Sequence, residues 1–354
     1  MRRRSFLRRG LWASSAVALA PTILSKSRAA DPSPRRPKVG FLGVAYSHAA
    51  EKIRLLRASS EFEFVGVWAE TEALASKYRE QGVAIRSRDE ILRLAEVAVV
   101  ESEVATHATL ALEALEAGCH VHLEKPPAET MADFDRVLAA ARERKRLLQV
   151  GYMWRLNPGL NAVFEAVRSG WLGEVFLVRA TINNTLETAR RREWAGFKGG
   201  VLFELGSHML DAVVRLLGKP NQVVPVLKTH GSSTDTLADN NVVVLEYPKT
   251  TAVISSSTLQ PNAGAHRAFE VLGTRGTAVV RPLEQPVLEL DLAEAAGPYS
   301  RGRQTVPLPA YRRYEGEFAQ LASSLREDRV LAVTLEQERD VQETLLKACG
   351  VGVG

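Results

Sequence analysis

Short apolar strand segments alternate with amphipathic helical segments between residues 38 and 150, and this alternation restricts the possible folds more than any other feature. Val97–Val100 is apolar at every position, which is typical of a strand buried on both faces of a sheet. Thr71 stands at the start of one helical segment as an N-cap, and Gly82 follows that segment as a stop signal. The alternation therefore predicts an α/β fold with a doubly wound, parallel sheet.

The pattern changes after Gly151, where strand segments follow one another with few helices between them. Seven strand segments lie within residues 175–292, and short turns such as Gly273–Gly276 separate some of them. Short turns connect antiparallel strands, whereas parallel strands need a longer crossover. We therefore predict two domains, one at residues 38–151 and one at residues 152–354, the second being an α+β domain with a large, mostly antiparallel sheet.

The first 30 residues have the composition of an export signal. A basic start is followed by an apolar run at residues 11–24, and small residues lead to Ala29 and Ala30. The run is too short, and too rich in Ala and Ser, for a stable membrane span, and the order of the parts is that of a cleaved signal. We predict residues 1–30 as a signal peptide cleaved near Ala29 or Ala30, residues 31–37 as a linker, and no membrane anchor.

The start of this segment resembles the twin-arginine export signal. Arg3-Arg4-Ser5-Phe6-Leu7-Arg8 carries the paired arginines, with Arg2 at a position where Ser or Thr is more usual. The resemblance implies that the twin-arginine machinery exports the protein already folded, often with a cofactor inserted in the cytoplasm. We therefore expect a periplasmic or secreted protein.

The net positive charge of the chain comes from this N-terminal segment and does not indicate a nucleic-acid partner. The chain has 46 Lys and Arg against 41 Asp and Glu, a formal net charge of +5. The first 30 residues contain no acid and seven basic residues: Arg2, Arg3, Arg4, Arg8, Arg9, Lys26 and Arg28. The rest of the chain has 39 basic and 41 acidic residues, a net charge of −2, so that its charge gives no reason to expect a nucleic-acid partner.

The turn after the first predicted strand is where a dinucleotide-binding fingerprint is expected. In Gly-x-Gly-x-x-Gly, the glycines allow a tight turn, close approach of the pyrophosphate and close helix packing. Here Gly43 keeps the first glycine, Ala45 replaces the second and His48 occupies the third position. The cofactor is predicted to contact Gly43, Ala45, Tyr46, Ser47 and His48, with an ordinary strand–helix turn as the alternative.

Glu70 follows the second predicted strand, where an acidic residue binds the adenosine ribose of NAD. A carboxylate at that place repels the 2′-phosphate of NADP, which favours NAD as the cofactor and leaves NADP as the alternative. A solvated glutamate at a helix start is the alternative interpretation of Glu70.

Several motifs of the chain resemble those of the Gfo/Idh/MocA family of oxidoreductases. Ala117-Gly-Cys-His-Val-His-Leu-Glu124-Lys125-Pro126 contains the most specific one, a Glu-Lys-Pro that closes a strand. Gly199–Asp211 resembles the family's Gly-Gly-x-x-x-Asp-x-Gly-x-His-x-x-Asp, and Arg155–Pro158 and Gly173–Val175 resemble further motifs. The resemblance covers about residues 38–350. It implies a Rossmann-like first domain, an NAD(P)-dependent oxidoreductase, a carbohydrate substrate and a homo-oligomer.

The resemblance also implies catalytic roles for three side chains. Lys125 would lie near the nicotinamide and the substrate hydroxyl, His208 would act as acid or base, and Glu204 would be the partner of His208. His208 lies four residues after Glu204 and three before Asp211, a spacing that fits one helical face. A histidine that a carboxylate orients and a lysine assists can accept a hydroxyl proton. Glu204 stands where the family usually has Asp, and the longer side chain changes the reach of the carboxylate.

Acidic residues follow Val97–Val100 where the family tends to have Ala-Thr-Pro-Asn. Glu101 and Glu103 lie there, and carboxylates beside a pyrophosphate or a nicotinamide ribose are electrostatically unfavourable. The alternative is that they hold hydroxyls of the ribose or of the substrate. The remaining residues predicted to contact the cofactor are Glu101, His107, Glu124 and Lys125.

Residues at the domain junction are predicted to contact the substrate. Tyr152 and Arg155, together with Asp211, are assigned to a polyhydroxylated ligand, with packing of the junction as the alternative. Arg190–Arg192 is predicted to lie in a loop, either as a solvated rim or as a contact for an acidic substrate. No metal site is predicted, because neither cysteine has a metal-binding spacing.

Export constrains the chemistry that we expect. No free cofactor pool exists outside the cytoplasm, and a simple dehydrogenase would stop there after one turnover. We therefore predict tightly bound NAD(H) and a redox-neutral cycle on a sugar, polyol or glycoside. The alternatives are an NAD-dependent glycoside hydrolase or lyase and a non-catalytic carbohydrate-binding protein with the same fold.

Overall fold

The computed structural model describes residues 35–231 and 234–352. The predicted signal peptide and most of the predicted linker lie outside these residues. The strands of the described part are β1 (Lys38–Leu42), β2 (Glu63–Trp68), β3 (Val97–Val100), β4 (His120–Leu123), β5 (Leu148–Val150), β6 (Val175–Asn183), β7 (Gln222–Lys228), β8 (Asn240–Glu246), β9 (Thr251–Ser257), β10 (Ala268–Gly273), β11 (Gly276–Val280), β12 (Leu288–Leu292) and β13 (Gly302–Val306). Its α-helices are α1 (Ala49–Arg57), α2 (Glu72–Glu80), α3 (Arg88–Leu94), α4 (Val104–Glu116), α5 (Met131–Glu143), α6 (Pro158–Arg168), α7 (Thr188–Ala195), α8 (Ser207–Leu217), α9 (Glu315–Arg326) and α10 (Leu335–Ala348).

The first sheet is parallel and confirms the predicted doubly wound arrangement. Its strand order is β2-β1-β3-β4-β5, and neighbouring strands run in the same direction. All side chains of β3 are fully buried, as expected for a central strand that is covered on both faces. The strand order reverses at β1, and ligands of such sheets bind at the carboxyl ends of the strands on either side of the reversal, here β1 and β3.

The second sheet confirms the predicted α+β domain. Its eight strands have the order β13-β12-β11-β10-β6-β9-β8-β7, and β6 pairs in parallel with β9 whereas the other pairs are antiparallel. Val178, Ala180 and Ile182 of β6 are buried and alternate with more exposed residues, so that one face of the sheet is packed. α8 packs on β6 and β9, and α10 contacts both α8 and α5, which links the helices of the two sheets.

Some elements differ from the sequence-based expectation. α3 is not predicted, although a capping box of Ser87 and Glu90 marks its start. The prediction of a loop at Arg190–Arg192 is wrong, because these residues lie in α7. Arginine is a good helix former, and Trp194 anchors the helix by packing in a small apolar cluster with Val201. Over the ranges that the structure describes, we find no helix with the length and apolar character that crossing a bilayer requires.

Candidate active site

The loops after four parallel strands bring many of the predicted site residues to one edge of the first sheet. Gly43 follows β1, Glu70 lies two residues after β2, Glu101 follows β3 and Glu124 follows β4. The backbone N–H of Tyr46 donates to the carbonyl oxygen of Glu101 at 2.8 Å, which holds the first and third loops together. The site is therefore built on the ends of rigid strands.

The turn after β1 surrounds a carboxylate with backbone donors. Gly43 has a φ of +86°, and a Cβ atom at this position would lie 2.6 Å from both Glu70 Oε1 and Ser102 Cβ. Glycine is therefore required in this turn. The backbone N–H groups of Val44 and Ala45 donate to the carboxylate of Glu70 at 2.9 to 3.2 Å, so that donors suited to a pyrophosphate already face negative charge.

Lys125 lies in a buried cluster with Glu204 and Tyr46. Its Nζ donates to Oε1 of Glu204 at 2.7 Å and to the backbone carbonyl of the same residue at 2.8 Å. The hydroxyl of Tyr46 donates to the same carboxylate oxygen, and Nζ of Lys125 lies 5.3 Å from the centroid of the Tyr46 ring. Burial and the charge of Glu204 raise the pKa of the Tyr46 hydroxyl well above its ordinary value, so that Tyr46 remains a protonated donor.

The backbone around Glu204 explains how this residue contacts Lys125 twice. Leu202–Gly206 forms a widened, π-type helical turn that leads into α8, and such turns often occur at functional sites. Both the carbonyl oxygen and the side chain of Glu204 accept hydrogen bonds from Lys125 as a result. The spacing of Glu204 and His208 predicts that both lie on one face of a regular helix. It does not predict that Glu204 contacts Lys125.

His208 lies near this cluster and has no carboxylate partner within the part of the chain that the structure describes. The residue is 3% exposed, and its ring packs against those of Trp154 and Tyr152, with centroids 4.9 and 5.8 Å away. In the described structure, its Nδ1 is buried and has no hydrogen-bond partner. Burial, and next the charge of Lys125, lower the pKa of His208 well below its ordinary value, which keeps the imidazole neutral. The structure thus places Glu204 at Lys125, whereas the family resemblance implies that Glu204 is the partner of His208.

A lysine that sequence patterns did not single out stands at the centre of a buried ion-pair network. Nζ of Lys52 donates to Glu101 Oε1 at 2.6 Å and to Glu124 Oε2 at 2.5 Å. It also lies 3.0 Å from Nε2 of His122, and Nδ1 of His122 lies 2.9 Å from the amide oxygen of Gln149. Because an ammonium faces Nε2 and an amide oxygen faces Nδ1, the proton of His122 is assigned to Nδ1.

The charges of this network stabilise one another. Burial alone lowers the pKa of Lys52, but the charges of Glu101 and Glu124 outweigh burial and raise it. Burial raises the pKa of Glu101 well above its ordinary value. Although burial opposes them, Lys52 and then His48 hold the pKa of Glu124 well below its ordinary value. Lys52 therefore stays an ammonium and Glu124 stays a carboxylate. Because Lys52 donates to both Glu101 and Glu124, these two acidic side chains can lie side by side.

His48 contacts the other oxygen of Glu124. Its Nδ1 lies 3.2 Å from Glu124 Oε1, and its ring packs against those of Tyr46 and Tyr314, with centroid distances of 5.1 and 5.6 Å. The side chain of His48 is 19% exposed, and the preceding Ser47 is exposed. The third position of the fingerprint therefore holds a side chain that reaches the Glu-Lys-Pro segment.

His107 connects two loops of the site. Its Nδ1 lies 2.8 Å from the carbonyl oxygen of Pro126, and its Nε2 lies 2.9 Å from that of Ser102. The side chain is fully buried. These contacts give His107 a part in positioning the loops after β3 and β4, and its contact with the cofactor stays a prediction.

The predicted substrate-binding residues Arg155 and Asp211 form a buried ion pair with each other. Nη2 of Arg155 donates at 2.7 Å to Asp211 Oδ1 and also at 2.7 Å to Glu338 Oε2, which ties α8 and α10 to the segment after β5. None of the three residues is more than 5% exposed. This arrangement favours packing of the junction, and contact of Tyr152, Arg155 or Asp211 with a substrate stays a prediction.

The arginines of α7 contact carboxylates of the protein. Arg191 donates to Asp235 at 2.8 and 2.9 Å and to Asp239 at 3.0 Å. Arg190 pairs with Glu193 at 2.9 Å in the same helix. Arg191 therefore links α7, through ion pairs, to the segment that precedes β8.

Comparison with known proteins agrees with the two-part architecture. Residues 37–152 match the family model of an oxidoreductase family with an NAD-binding Rossmann fold, and residues 160–279 match the GFO/IDH/MocA C-terminal domain. The scyllo-inositol 2-dehydrogenase (NADP(+)) of Bacillus subtilis is 25% identical over 321 residues, which cover 85% of this chain and 89% of that protein. The D-glucoside 3-dehydrogenase of Escherichia coli is 33% identical over 159 residues, which cover 43% of this chain and 44% of that protein.

A solved structure shares the fold. The aldose-aldose oxidoreductase of Caulobacter crescentus, complexed with glycerol, has a TM-score of 0.76 and 21% identity, with 89% of this chain and 98% of that chain covered. The two family models include Lys125 in the first part of the chain and Glu204 and His208 in the second. The chain is therefore an enzyme of the Gfo/Idh/MocA family of oxidoreductases, whose first domain is an NAD-binding Rossmann fold.

Proposed function

We propose that this protein is a nicotinamide-dependent oxidoreductase that interconverts a carbinol and a carbonyl group of a sugar, polyol or glycoside. The observation that carries the proposal is the buried ammonium of Lys125, which donates twice to Glu204 and lies near a neutral His208. Nδ1 of His208 has no hydrogen-bond partner among the described residues. The relatives named above act on an inositol and on a glucoside, which are both polyhydroxylated rings. They support a substrate of this class.

The residues at the edge of the first sheet fit a dinucleotide. The turn after Gly43 presents the backbone N–H groups of Val44 and Ala45, which bind the carboxylate of Glu70 in this structure and are donors of the kind that bind a phosphate oxygen. These donors would hold the pyrophosphate, and Glu70 would accept hydrogen bonds from the adenosine ribose, which favours NAD over NADP. The bound cofactor would supply a hydride acceptor for the carbinol carbon.

Side chains of the protein act on the hydroxyl group. The ammonium of Lys125 donates a hydrogen bond to the substrate oxygen and stabilises the negative charge that develops there. Glu204 keeps this ammonium in place through two acceptors. His208 is neutral because of burial and the charge of Lys125, both of which lower its pKa, and it takes the hydroxyl proton as a base.

The experiment that tests this function uses purified full-length protein. Mass spectrometry of a denatured extract identifies any bound nicotinamide, and scyllo-inositol, D-glucose and methyl β-D-glucoside serve as substrates with NAD⁺ or NADP⁺. We expect bound NAD(H) in the extract and reduction of the cofactor by at least one of the three compounds. Cofactor that binds but is never reduced contradicts the oxidoreductase assignment for this substrate class.

The export route and the redox-neutral cycle are part of the proposal. Arg3 and Arg4 before an apolar run support export by the twin-arginine machinery, and an exported enzyme needs a cofactor that does not dissociate. Replacing both arginines with lysine should leave the protein in the cytoplasmic fraction, whereas the wild type is expected in the periplasm or medium. Equal export of both forms would speak against this route.

The redox-neutral cycle has a test that also covers the glycoside hydrolase alternative. A paired oxidation and reduction of two sugars yields one oxidised and one reduced product without net change in cofactor. A hydrolase that oxidises the glycoside transiently yields D-glucose and methanol from methyl β-D-glucoside. Product analysis by mass spectrometry distinguishes the two, and accumulation of reduced cofactor in proportion to product contradicts both.

A non-catalytic carbohydrate-binding protein is the second candidate, and one observation favours it. Glu70 engages the backbone donors of Val44 and Ala45, and Tyr46 donates to the carboxylate that holds Lys125. The groups suited to a cofactor thus have partners within the protein. Isothermal titration calorimetry distinguishes the two candidate functions. A carbohydrate-binding protein is expected to bind a sugar but not NAD⁺, whereas the oxidoreductase is expected to bind NAD⁺ as well.

A further inference from the structure

Among the described residues, no carboxylate forms a hydrogen bond or an ion pair with His208, where proton transfer would create a cation. His208 is 3% exposed, and within the described ranges its Nδ1 has no hydrogen-bond partner. The carboxylates closest to it in sequence have other partners, since Glu204 accepts from Lys125 and Asp211 accepts from Arg155. An imidazolium at His208 would therefore be buried near the ammonium of Lys125 without a described carboxylate in contact with it.

His48 has the arrangement that His208 lacks. Its Nδ1 lies 3.2 Å from one oxygen of Glu124, and the other oxygen of Glu124 accepts from Nζ of Lys52 at 2.5 Å. Both Glu124 and Lys52 are fully buried, so that the carboxylate is fixed in place. A neutral histidine with Nδ1 bonded to a carboxylate carries its proton on Nδ1 and has a free electron pair on Nε2.

The position of His48 links the buried cluster to solvent. The ring of His48 packs edge-on against the ring of Tyr46, with 5.1 Å between the two centroids. Nζ of Lys125 lies 5.3 Å from the centroid of the Tyr46 ring. The hydroxyl of Tyr46 bonds to Glu204. The side chain of His48 is 19% exposed, against 2% for Lys125. His48 is therefore the member of this group to which water has access.

We propose that His48, positioned by Glu124 and Lys52, is a second acid–base residue of the oxidoreductase and the group that exchanges its proton with solvent. The proposal rests on the proposed function. On oxidation, the C–H electron pair leaves with the hydride to the nicotinamide, and the O–H electron pair becomes the second bond of the carbonyl group. The proton passes to His208 and from there to Nε2 of His48, where Glu124 balances the charge until water removes it. In the direction of reduction, His48 returns a proton by the same route.

The test compares His48→Asn with the wild type and with His230→Asn. Asparagine keeps a donor toward Glu124 but is not a base. His230, the control position, is an exposed histidine on the loop between β7 and β8.

The substrate is whichever of scyllo-inositol, D-glucose and methyl β-D-glucoside the wild type oxidises with NAD⁺. In His48→Asn we expect kcat to fall roughly 100-fold, KM to change little, and added imidazole to restore part of the rate. His230→Asn should retain the wild-type kcat. An unchanged kcat in His48→Asn, or a loss that imidazole does not restore, overturns the proposal.

A second measurement, on the protein as purified, does not depend on turnover. Long-range ¹H–¹⁵N NMR reports which ring nitrogen of each neutral histidine carries the proton, with His48→Asn used to assign the signal. We expect the proton of His48 on Nδ1, and a proton on Nε2 would overturn the proposal. If the wild type oxidises none of the three substrates, the proposed function fails, and the NMR result still decides whether Glu124 orients His48.

Discussion

At the scale of single residues, the charge balance of the site depends on Lys52. This side chain is fully buried and donates to Glu101 and Glu124, the residues that follow β3 and β4. The sequence does contain a signal for it, because Lys52 lies on the buried face of α1 between Ala49 and Ile53. A lysine on an apolar helix face requires a buried partner, but the identity of that partner depends on the strand order.

Replacement of Lys52 by methionine tests this ion-pair network. Lys52→Met leaves the buried carboxylate of Glu124 without its cation and Glu101 without its hydrogen-bond donor, and we expect the free energy of unfolding to fall by about 3–5 kcal/mol. Urea denaturation measures the change. The double variant Lys52→Met/Glu124→Gln should recover part of the loss, because the side chain that Lys52 keeps ionised is then an uncharged amide. A single variant as stable as the wild type would rule out the network as a stabilising feature.

Glu317 is expected to make the free energy of unfolding depend on pH. Both of its carboxylate oxygens are buried and lack a hydrogen-bond partner in the described structure, and burial raises its pKa from 4.5 to about 7. The folded state therefore binds the proton more tightly than the unfolded state does. The resulting stabilisation is complete below about pH 4.5 and is lost as the pH rises to about 7.

The variant Glu317→Gln should lack this part of the pH dependence. Between about pH 4.5 and 7, its free energy of unfolding is expected to decrease by up to about 3 kcal/mol less than that of the wild type. Urea denaturation at several pH values measures both proteins. Two curves of equal slope would show that Glu317 does not titrate in this range.

At the scale of elements, the turn Leu202–Gly206 that carries Glu204 depends on the glycines before it. Gly199 has a φ of +82°, and a Cβ atom there would overlap Sγ of Cys349, at the end of α10. Gly218, at the end of α8, has the same φ but no neighbouring atom within 4 Å of such a Cβ. The two positions share a positive φ of +82° and differ in packing.

This pair of glycines gives a matched test. Gly218→Ala should lower the free energy of unfolding by about 1–3 kcal/mol through backbone strain alone, because its φ of +82° and ψ of −169° are angles that only glycine adopts readily. Gly199→Ala should lower it by a further amount of about 1–3 kcal/mol, because the methyl group displaces Cys349. Thermal or urea denaturation of both variants measures the difference. Equal losses would mean that the contact with Cys349 does not constrain the turn.

The elements with strong local signals are the ones that sequence patterns predict well. The sequence pattern predicts helices over Ser207–Leu217 and Leu335–Ala348, and α8 and α10 have these bounds. Thr334 caps the start of α10. α3 is only seven residues long, too short for a clear period. The π-type turn at Leu202–Gly206 is not predictable from periodicity, because an inserted residue breaks the regular spacing on which such predictions depend.

At the scale of the whole molecule, both sheets are predictable from the sequence, but the side-chain pairs between them are not. Lys125 meets Glu204, and Arg155 meets Asp211 and Glu338, across long separations in the chain. Spacing predicts that Glu204 and His208 share a helical face, yet the local backbone turns Glu204 toward Lys125. Such pairs depend on how the two sheets pack together, and local patterns carry no information about that packing.

The central claim is that this molecule transfers hydride between a carbohydrate carbinol and a nicotinamide, with Lys125 at the substrate oxygen. The most direct measurement uses scyllo-inositol, D-glucose and methyl β-D-glucoside deuterated at their ring carbons, incubated with the protein and NAD⁺. Mass spectrometry of the recovered cofactor should show deuterium in the nicotinamide with the wild type, and at least roughly 100-fold less with Lys125→Met. Bound cofactor that acquires no deuterium from any of the three, or equal labelling by Lys125→Met, would contradict the account.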